Sequence, residues 1–159
     1  MKTFLDKLAL FLATGAGSGF APKAPGTFGS LAALPLIWFA HDRGLSNIEM
    51  VWAIIIISVI GMWSTARVES IWKTHDDGRI VIDEVAGMFI TLAWFPFDAF
   101  HVALGFALFR LFDIWKPGPI GYIDEHGPGA WGTFFDDVVA GIFAAGVLYG
   151  LSSMFAGQL

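Results

Sequence analysis

Ile82-Asp83-Glu84-Val85-Ala86-Gly87-Met88-Phe89-Ile90-Thr91-Leu92 decides how this chain is read. Two adjacent carboxylates open a segment that is otherwise apolar through Phe97. Charge beside hydrocarbon is costly, so it marks either a functional site or a tightly paired structural one. The pattern returns in Phe135-Asp136-Asp137-Val138-Val139-Ala140-Gly141-Ile142, where an acidic pair again runs into an apolar segment. In each case a glycine stands four residues after one acid, Gly87 after Asp83 and Gly141 after Asp137. A third acid, Asp113, closes another apolar segment beside Arg110 and Lys116.

The rest of the composition places these acids at a membrane. Of 159 residues, 56% are apolar and only 14% charged, and the mean hydropathy is +0.67. All three depart from a soluble domain in the direction of a membrane protein, and the length suits one domain spanning 1–159. Sixteen Phe and seven Trp supply bulk for lipid contact and interfacial anchoring. The absence of Cys excludes a thiol nucleophile, a disulfide framework and a thiolate metal site. The net charge of −5 argues against a nucleic-acid partner.

Along the chain, Met1–Ala13 reads as an amphipathic helix at a membrane surface rather than a cleaved leader, because Asp6 and Lys7 interrupt its apolar run. Residues 15–29, GAGSGFAPKAPGTFG, hold five Gly and two Pro and read as a loop, either exposed or re-entrant, with Lys23 its one charge. Apolar spans are expected at 29–40, 48–66, 82–97, 99–115 and 134–155, each near the length that a ~30 Å hydrocarbon core requires or extended by its flanks. The expected fold is therefore all-α: a polytopic helical membrane protein of about five apolar helices. Asp76-Asp77-Gly78 reads as a solvated turn, and residues 117–132 as a Gly/Pro-rich loop carrying Asp124. Gly146 and Gly150 have the small-xxx-small spacing that suits close helix packing.

With the N-terminus cytoplasmic, Lys2, Lys7, Lys23, Arg67, Lys73, Arg79, Arg110 and Lys116 fall on the cytoplasmic side and only Arg43 falls outside. The positive-inside rule favours this orientation over its reverse. Asp83, Glu84, Asp113, Asp124, Asp136 and Asp137 then gather at the same end, which the charge rule does not require.

Carboxylates from three helices at one membrane face suit a hard cation. Mg²⁺ takes carboxylate oxygen and water, with substrate phosphate completing its shell. Arg110 and Asp113, three residues apart, share a helix face, and a guanidinium grips phosphate with a planar fork. Backbone N–H groups of the glycine-rich loop add anion donors, although no Walker A motif is present. Taken singly, each set has a structural reading: Asp83-Glu84 and Asp136-Asp137 as first-turn acids, Asp113 with Arg110 as an ion pair, Lys116 as a topology-setting charge. Their convergence favours phosphoryl chemistry on a membrane lipid.

These residues also carry a family likeness. Gly17-Ser18-Gly19, Pro25-Gly26-Thr27, Gly29-Ser30-Leu31, Asp83-Glu84, Gly87-Met88, Phe109-Arg110, Asp113, Trp115-Lys116-Pro117, Pro119-Ile120, Asp124, Asp136-Asp137 and Ala140-Gly141 follow the order seen in the phosphatidylglycerophosphatase A family, and the resemblance runs from about Gly15 to Tyr149. It implies a small bacterial inner-membrane, multi-pass, Mg²⁺-dependent enzyme that hydrolyses phosphatidylglycerophosphate to phosphatidylglycerol and phosphate, with its site on the cytoplasmic side. Asp83, Glu84, Asp136 and Asp137 are the expected Mg²⁺ ligands and Asp113 a ligand or orienting group. Arg110, Lys116 and Lys23 are expected to hold the phosphate. A carboxylate or a water positioned by the ion supplies the nucleophile, and a covalent aspartyl-phosphate stays open as a route. Two other classes would leave different signatures. A CDP-alcohol phosphatidyltransferase would carry a long spaced DG, AR, G and Asp motif that is absent here. A cation channel or transporter would line its acids across the membrane rather than at one end.

Overall fold

The computed structural model describes residues 3–75 and 77–155, so Met1, Lys2 and Asp76 from the expectations above lie outside it. Among the described residues there are seven α-helices and no strand: α1 (Phe4–Ala13), α2 (Pro25–Asp42), α3 (Asn47–Trp72), α4 (Ile82–Leu92), α5 (Ala99–Trp115), α6 (Pro119–His126) and α7 (Ala130–Phe155). The all-α reading is confirmed.

Local chemistry sets most helix starts. Thr3 and Asp6 form a capping box on α1, and Ser46 and Glu49 form one on α3. The Asp98 side chain accepts from the His101 N–H at the start of α5. Pro25 opens α2, where its fixed φ and missing N–H cost nothing. As a result α2 begins inside the segment that reads as a loop, and Ser18–Phe20 forms a short 3₁₀ turn before it. The Val81 N–H donates to the Ala13 carbonyl at 2.8 Å, so the end of α1 fixes where α4 begins.

The central element is α4. Its residues other than Glu84 are buried, and it packs against α2, α3, α5 and α7. It also corrects the expected span at 82–97. The helix stops at Leu92, and the chain turns through Pro96 to the Asp98 cap. Eleven residues rise only ~16 Å, about half the hydrocarbon thickness. Two helices, α3 and α7, are long and apolar enough to cross a membrane, fewer than the five spans expected. Ile48, Trp52, Ile56, Val59 and Trp63 on α3, with Ile142, Phe143 and Tyr149 on α7, stay exposed.

Two further segments differ from the sequence reading. The loop expected at 117–132 contains α6, which starts after Gly118 at φ +55° and is capped by Gly127, whose N–H donates to the Ile123 carbonyl. A side chain at Gly146 or Gly150 would meet nothing within 4 Å, so their spacing serves no packing within the described chain. Asp77 does lie in a turn, held to the Arg79 guanidinium at 2.7 Å.

Candidate active site

The site forms where α4 meets α7, and glycine makes the meeting close. A Cβ at Gly87 would stand 2.6 Å from the Asp137 carbonyl oxygen. A Cβ at Gly141 would stand 3.0 Å from the Gly87 Cα. The Thr91 hydroxyl sits at the same crossing, donating to the Gly87 carbonyl at 2.9 Å and lying 3.4 Å from the Gly141 carbonyl. This contact brings the first turn of α4 against the acidic turn of α7.

One carboxylate oxygen from each of Asp83, Glu84 and Asp137 lies within 4.8 Å of the other two. Asp83 and Asp137 are 4% and 3% exposed. Glu84 Oε2 and Asp137 Oδ1 are buried without a hydrogen-bond partner. Asp113, from α5, is among the nearest like charges to both Glu84 and Asp137.

Arg110 is the cation facing this triad. Its Nη1 stands 2.5 Å from Asp113 Oδ2, 4.0 Å from Glu84 Oε1 and 3.4 Å from the Ser30 hydroxyl. The Arg110 Nε is buried without a partner. The first turn of α2 closes this side. A Cβ at Gly26 would run into the Glu84 carboxylate and stand 3.1 Å from Arg110 Nη1. Only a bare backbone fits there, and Ser30, fully buried, donates to the Gly26 carbonyl at 2.9 Å.

Asp136 and Lys116 form a second group. Asp136 is 3% exposed but stands outside the triad, and its Oδ2 is held by Lys116 Nζ at 2.6 Å. Lys116 Nζ also meets Asp124 Oδ1 at 2.6 Å. Burial alone would push the Lys116 ammonium towards the neutral form. The hydrogen bonds and charges of Asp124 and Asp136 outweigh it and hold the ammonium above its ordinary range. Lys116, expected at substrate phosphate, therefore contacts two carboxylates. Lys23 lies exposed three residues before Gly26, with no ion pair among the described residues.

Sequence reasoning passed over two contributors. Ser30 and Gly26 stand in the motif Pro25-Gly26-Thr27 and Gly29-Ser30-Leu31 without an assigned role. The signal available was their helical spacing of four, which places both on one face of α2. Asp124 reads as a loop residue in sequence, whereas it sits on α6, which aims it at Lys116.

Five carboxylates, Asp83, Glu84, Asp113, Asp136 and Asp137, face two cations, Arg110 and Lys116. Buried like charges in this excess need a counter-charge. The buried oxygens without partners, at three-carboxylate spacing, fit a hard divalent cation that takes oxygen ligands.

The sequence profile of the phosphatidylglycerophosphatase A family matches residues 11–152. The phosphatidylglycerophosphatase A of Escherichia coli K12 is 40% identical over 140 residues, covering 87% of this chain and 80% of that protein. The Haemophilus influenzae protein of the same name is 38% identical over 142 residues, covering 88% and 86%. A Bacteroides thetaiotaomicron protein, provisionally named a phosphatidylinositol-3-phosphatase, is 37% identical over 144 residues, covering 86% and 89%. No solved structure matches the chain. Matched over most of its length, the chain belongs to the phosphatidylglycerophosphatase A family.

Proposed function

We infer that the chain is a phosphatidylglycerophosphatase, hydrolysing phosphatidylglycerophosphate to phosphatidylglycerol and phosphate in phospholipid biosynthesis. The family match over residues 11–152 supports the reaction, and the Asp83–Glu84–Asp137 triad beside Arg110 is the observation that carries the chemistry.

Asp83, Glu84 and Asp137 would hold Mg²⁺. When bound, Mg²⁺ offsets phosphate charge and stabilises the charge that develops as the ester breaks. Arg110 takes the remaining phosphate oxygens, since its Nε is without a protein partner and its fork matches phosphate. Asp113 and Ser30 fix the guanidinium at 2.5 and 3.4 Å. Gly26 leaves a bare helix start beside Glu84 and Arg110, where the α2 dipole favours an anion. Lys116 keeps Asp136 in place. The reaction breaks the P–O bond to the glycerol head group, whose oxygen leaves with a proton. The new oxygen comes from water, directly or after a site carboxylate has taken the phosphoryl group.

The protein is embedded in the bacterial inner membrane, with α3 and α7 crossing it. At 18 and 17 residues, α2 and α5 rise ~27 and ~25 Å and complete further crossings with their flanks. α4 lies enclosed among them. The Leu92 carbonyl lies 3.3 Å from His41 Nε2 at the far end of α2, so α4 and the turn after it carry the chain back to that end, and the eight-to-one distribution of Lys and Arg then supports a cytoplasmic site. Charge on one end of the helices, rather than along them, disfavours a channel.

The Bacteroides relative's name points to a second head group, an inositol phosphate lipid. The test is phosphate release from phosphatidylglycerophosphate and from phosphatidylinositol 3-phosphate, with and without Mg²⁺, for wild type and Asp83→Asn. Mg²⁺-dependent release from the first lipid, lost in Asp83→Asn, is expected. Metal-independent release or full activity of the variant would overturn the mechanism, and preference for the inositol lipid would overturn the substrate.

A further inference from the structure

A cavity of about 300 Å³ lies between α1, the glycine-rich turn, α2 and α4. Its walls include Phe11, Ala16, Ala32, Leu36, Ile82 and Val85, and no charged side chain lines it. Ile82 and Val85 flank Asp83 and Glu84 in the chain. The first turn of α4 therefore presents carboxylates to α5 and α7 and an apolar wall to this cavity. At the rim, Phe11 and Leu36 are 57% and 51% exposed, so the cavity opens onto the apolar outside of the molecule. Resting on the phosphatase reading above, we propose that this cavity seats the glycerol-proximal part of one acyl chain of the lipid substrate.

Two observations select that occupant. Ile82 and Val85 of the cavity wall share one turn of α4 with two acids of the triad, Asp83 and Glu84, so a ligand filling both places joins a phosphate to a hydrocarbon. The cavity offers apolar contact only, which suits methylenes and gives nothing to a sugar or peptide. An acyl chain seated here fixes how deep the phosphate rides against Glu84 and Arg110. The enzyme would then recognise its substrate as a lipid, through chain and head group together.

The test compares dioleoyl and dibutyryl phosphatidylglycerophosphate as substrates for wild type, Ala32→Phe and Leu31→Phe. Ala32 lines the cavity, whereas Leu31 is exposed and outside it. Filling the cavity with Ala32→Phe is expected to raise KM for the dioleoyl lipid at least about fourfold, the value of one lost methylene contact. KM for the dibutyryl lipid stays unchanged, as do both constants in Leu31→Phe. Equal KM changes for the two lipids in Ala32→Phe, or none, overturn the acyl seat. A wild type that releases phosphate from neither lipid overturns the phosphatase reading instead. Unmodified protein gives an independent check, using a lipid with a diazirine near the glycerol end of its acyl chain. Label concentrated in residues 11–16 and 32–36 supports the seat, and label spread over the exposed faces of α3 and α7 overturns it.

Discussion

Gly87 and Gly141 face each other across the α4–α7 crossing, where a Cβ on Gly141 would stand 3.0 Å from the Gly87 Cα. A methyl on Gly141 would meet the Gly87 backbone, and one on Gly87 would meet the Asp137 carbonyl oxygen and the buried Phe109 ring, none of which can swing aside as a flexible side-chain tip can. Gly87→Ala and Gly141→Ala are therefore expected to push the two helices apart and to cost ~1–3 kcal/mol each, as overpacking does. The same shift would widen the Asp83–Asp137 separation and lower activity by more than the stability loss alone explains. Gly146→Ala is the control, because its new methyl meets nothing within 4 Å. Thermal unfolding in detergent, with phosphate release below the transition, separates the three variants.

The two acids of the second pair are expected to fail differently. Asp137 belongs to the triad, whereas Asp136 is held by Lys116. Asp137→Asn should raise the Mg²⁺ concentration for half-maximal activity by at least ~10-fold, given the few carboxylates that Mg²⁺ sites use. Asp136→Asn, outside the direct ligands, should lower kcat by ~10-fold, the mild end of what such partners cost, and shift that concentration less than Asp137→Asn does. Chelation with EDTA should abolish activity reversibly, with Mg²⁺ restoring it. Identical Mg²⁺ titrations for the two variants would place both acids at the ion.

How far these roles could be read in advance differs by residue. The acidic pairs were legible because a carboxylate inside an apolar segment is rare whatever the fold, and Gly87 and Gly141 because each sits one turn beyond its acid. The enclosure of α4 was not legible. Hydropathy gives a buried apolar helix and a lipid-facing one the same signal, so 82–97 read as a span although the helix stops at Leu92. Helix α6 was hidden by Gly118, Gly121 and Gly127, which read as breakers, while Pro119 in fact opens the helix. The Lys116 partner was hidden by a separation of 20 residues that only tertiary structure closes.

The Lys116 contacts should be unequal. The Asp136 carboxylate is 4% exposed and that of Asp124 35%. Lys116→Met strands a buried carboxylate and is expected to cost about 2 kcal/mol. The ~3–5 kcal/mol of a fully buried pair is reduced because Lys116 keeps 28% of its side chain exposed. Asp124→Asn should cost under ~1 kcal/mol, the range of exposed pairs. Since the folded state raises the Lys116 pKa, its contribution is complete below the unfolded value of ~10.4 and fades only as pH rises through the folded value. Between about pH 6 and 9 the stability gap between wild type and Lys116→Met should not move with Lys116 ionisation. Chemical unfolding at neutral pH measures the gap.

Asp6 joins α1 to α3. Its Oδ1 accepts from Arg67 Nε at 3.1 Å and Nη2 at 2.7 Å, while Oδ2 accepts from the Thr3 N–H at 3.1 Å. One carboxylate thus caps α1 and ties it to the end of α3 nearest the site. The Ala13 carbonyl at the far end of α1 holds the Val81 N–H, two residues before Asp83. Loosening α1 at Asp6 should therefore reach the acidic triad through the start of α4. Arg67→Met removes the tie and leaves the cap. It is expected to cost ~1 kcal/mol, modest because the Arg67 side chain is 43% exposed. Amide exchange within Phe4–Ala13 should speed up, with a smaller rise at Val81 to Val85. Asp6→Asn keeps an acceptor for the Thr3 N–H but loses the charge, and should match Arg67→Met in exchange and activity. The double variant should then add little, because a shared interaction is lost only once. Additive losses would show that α1 and α3 are joined by other contacts and that Asp6 serves only its own helix.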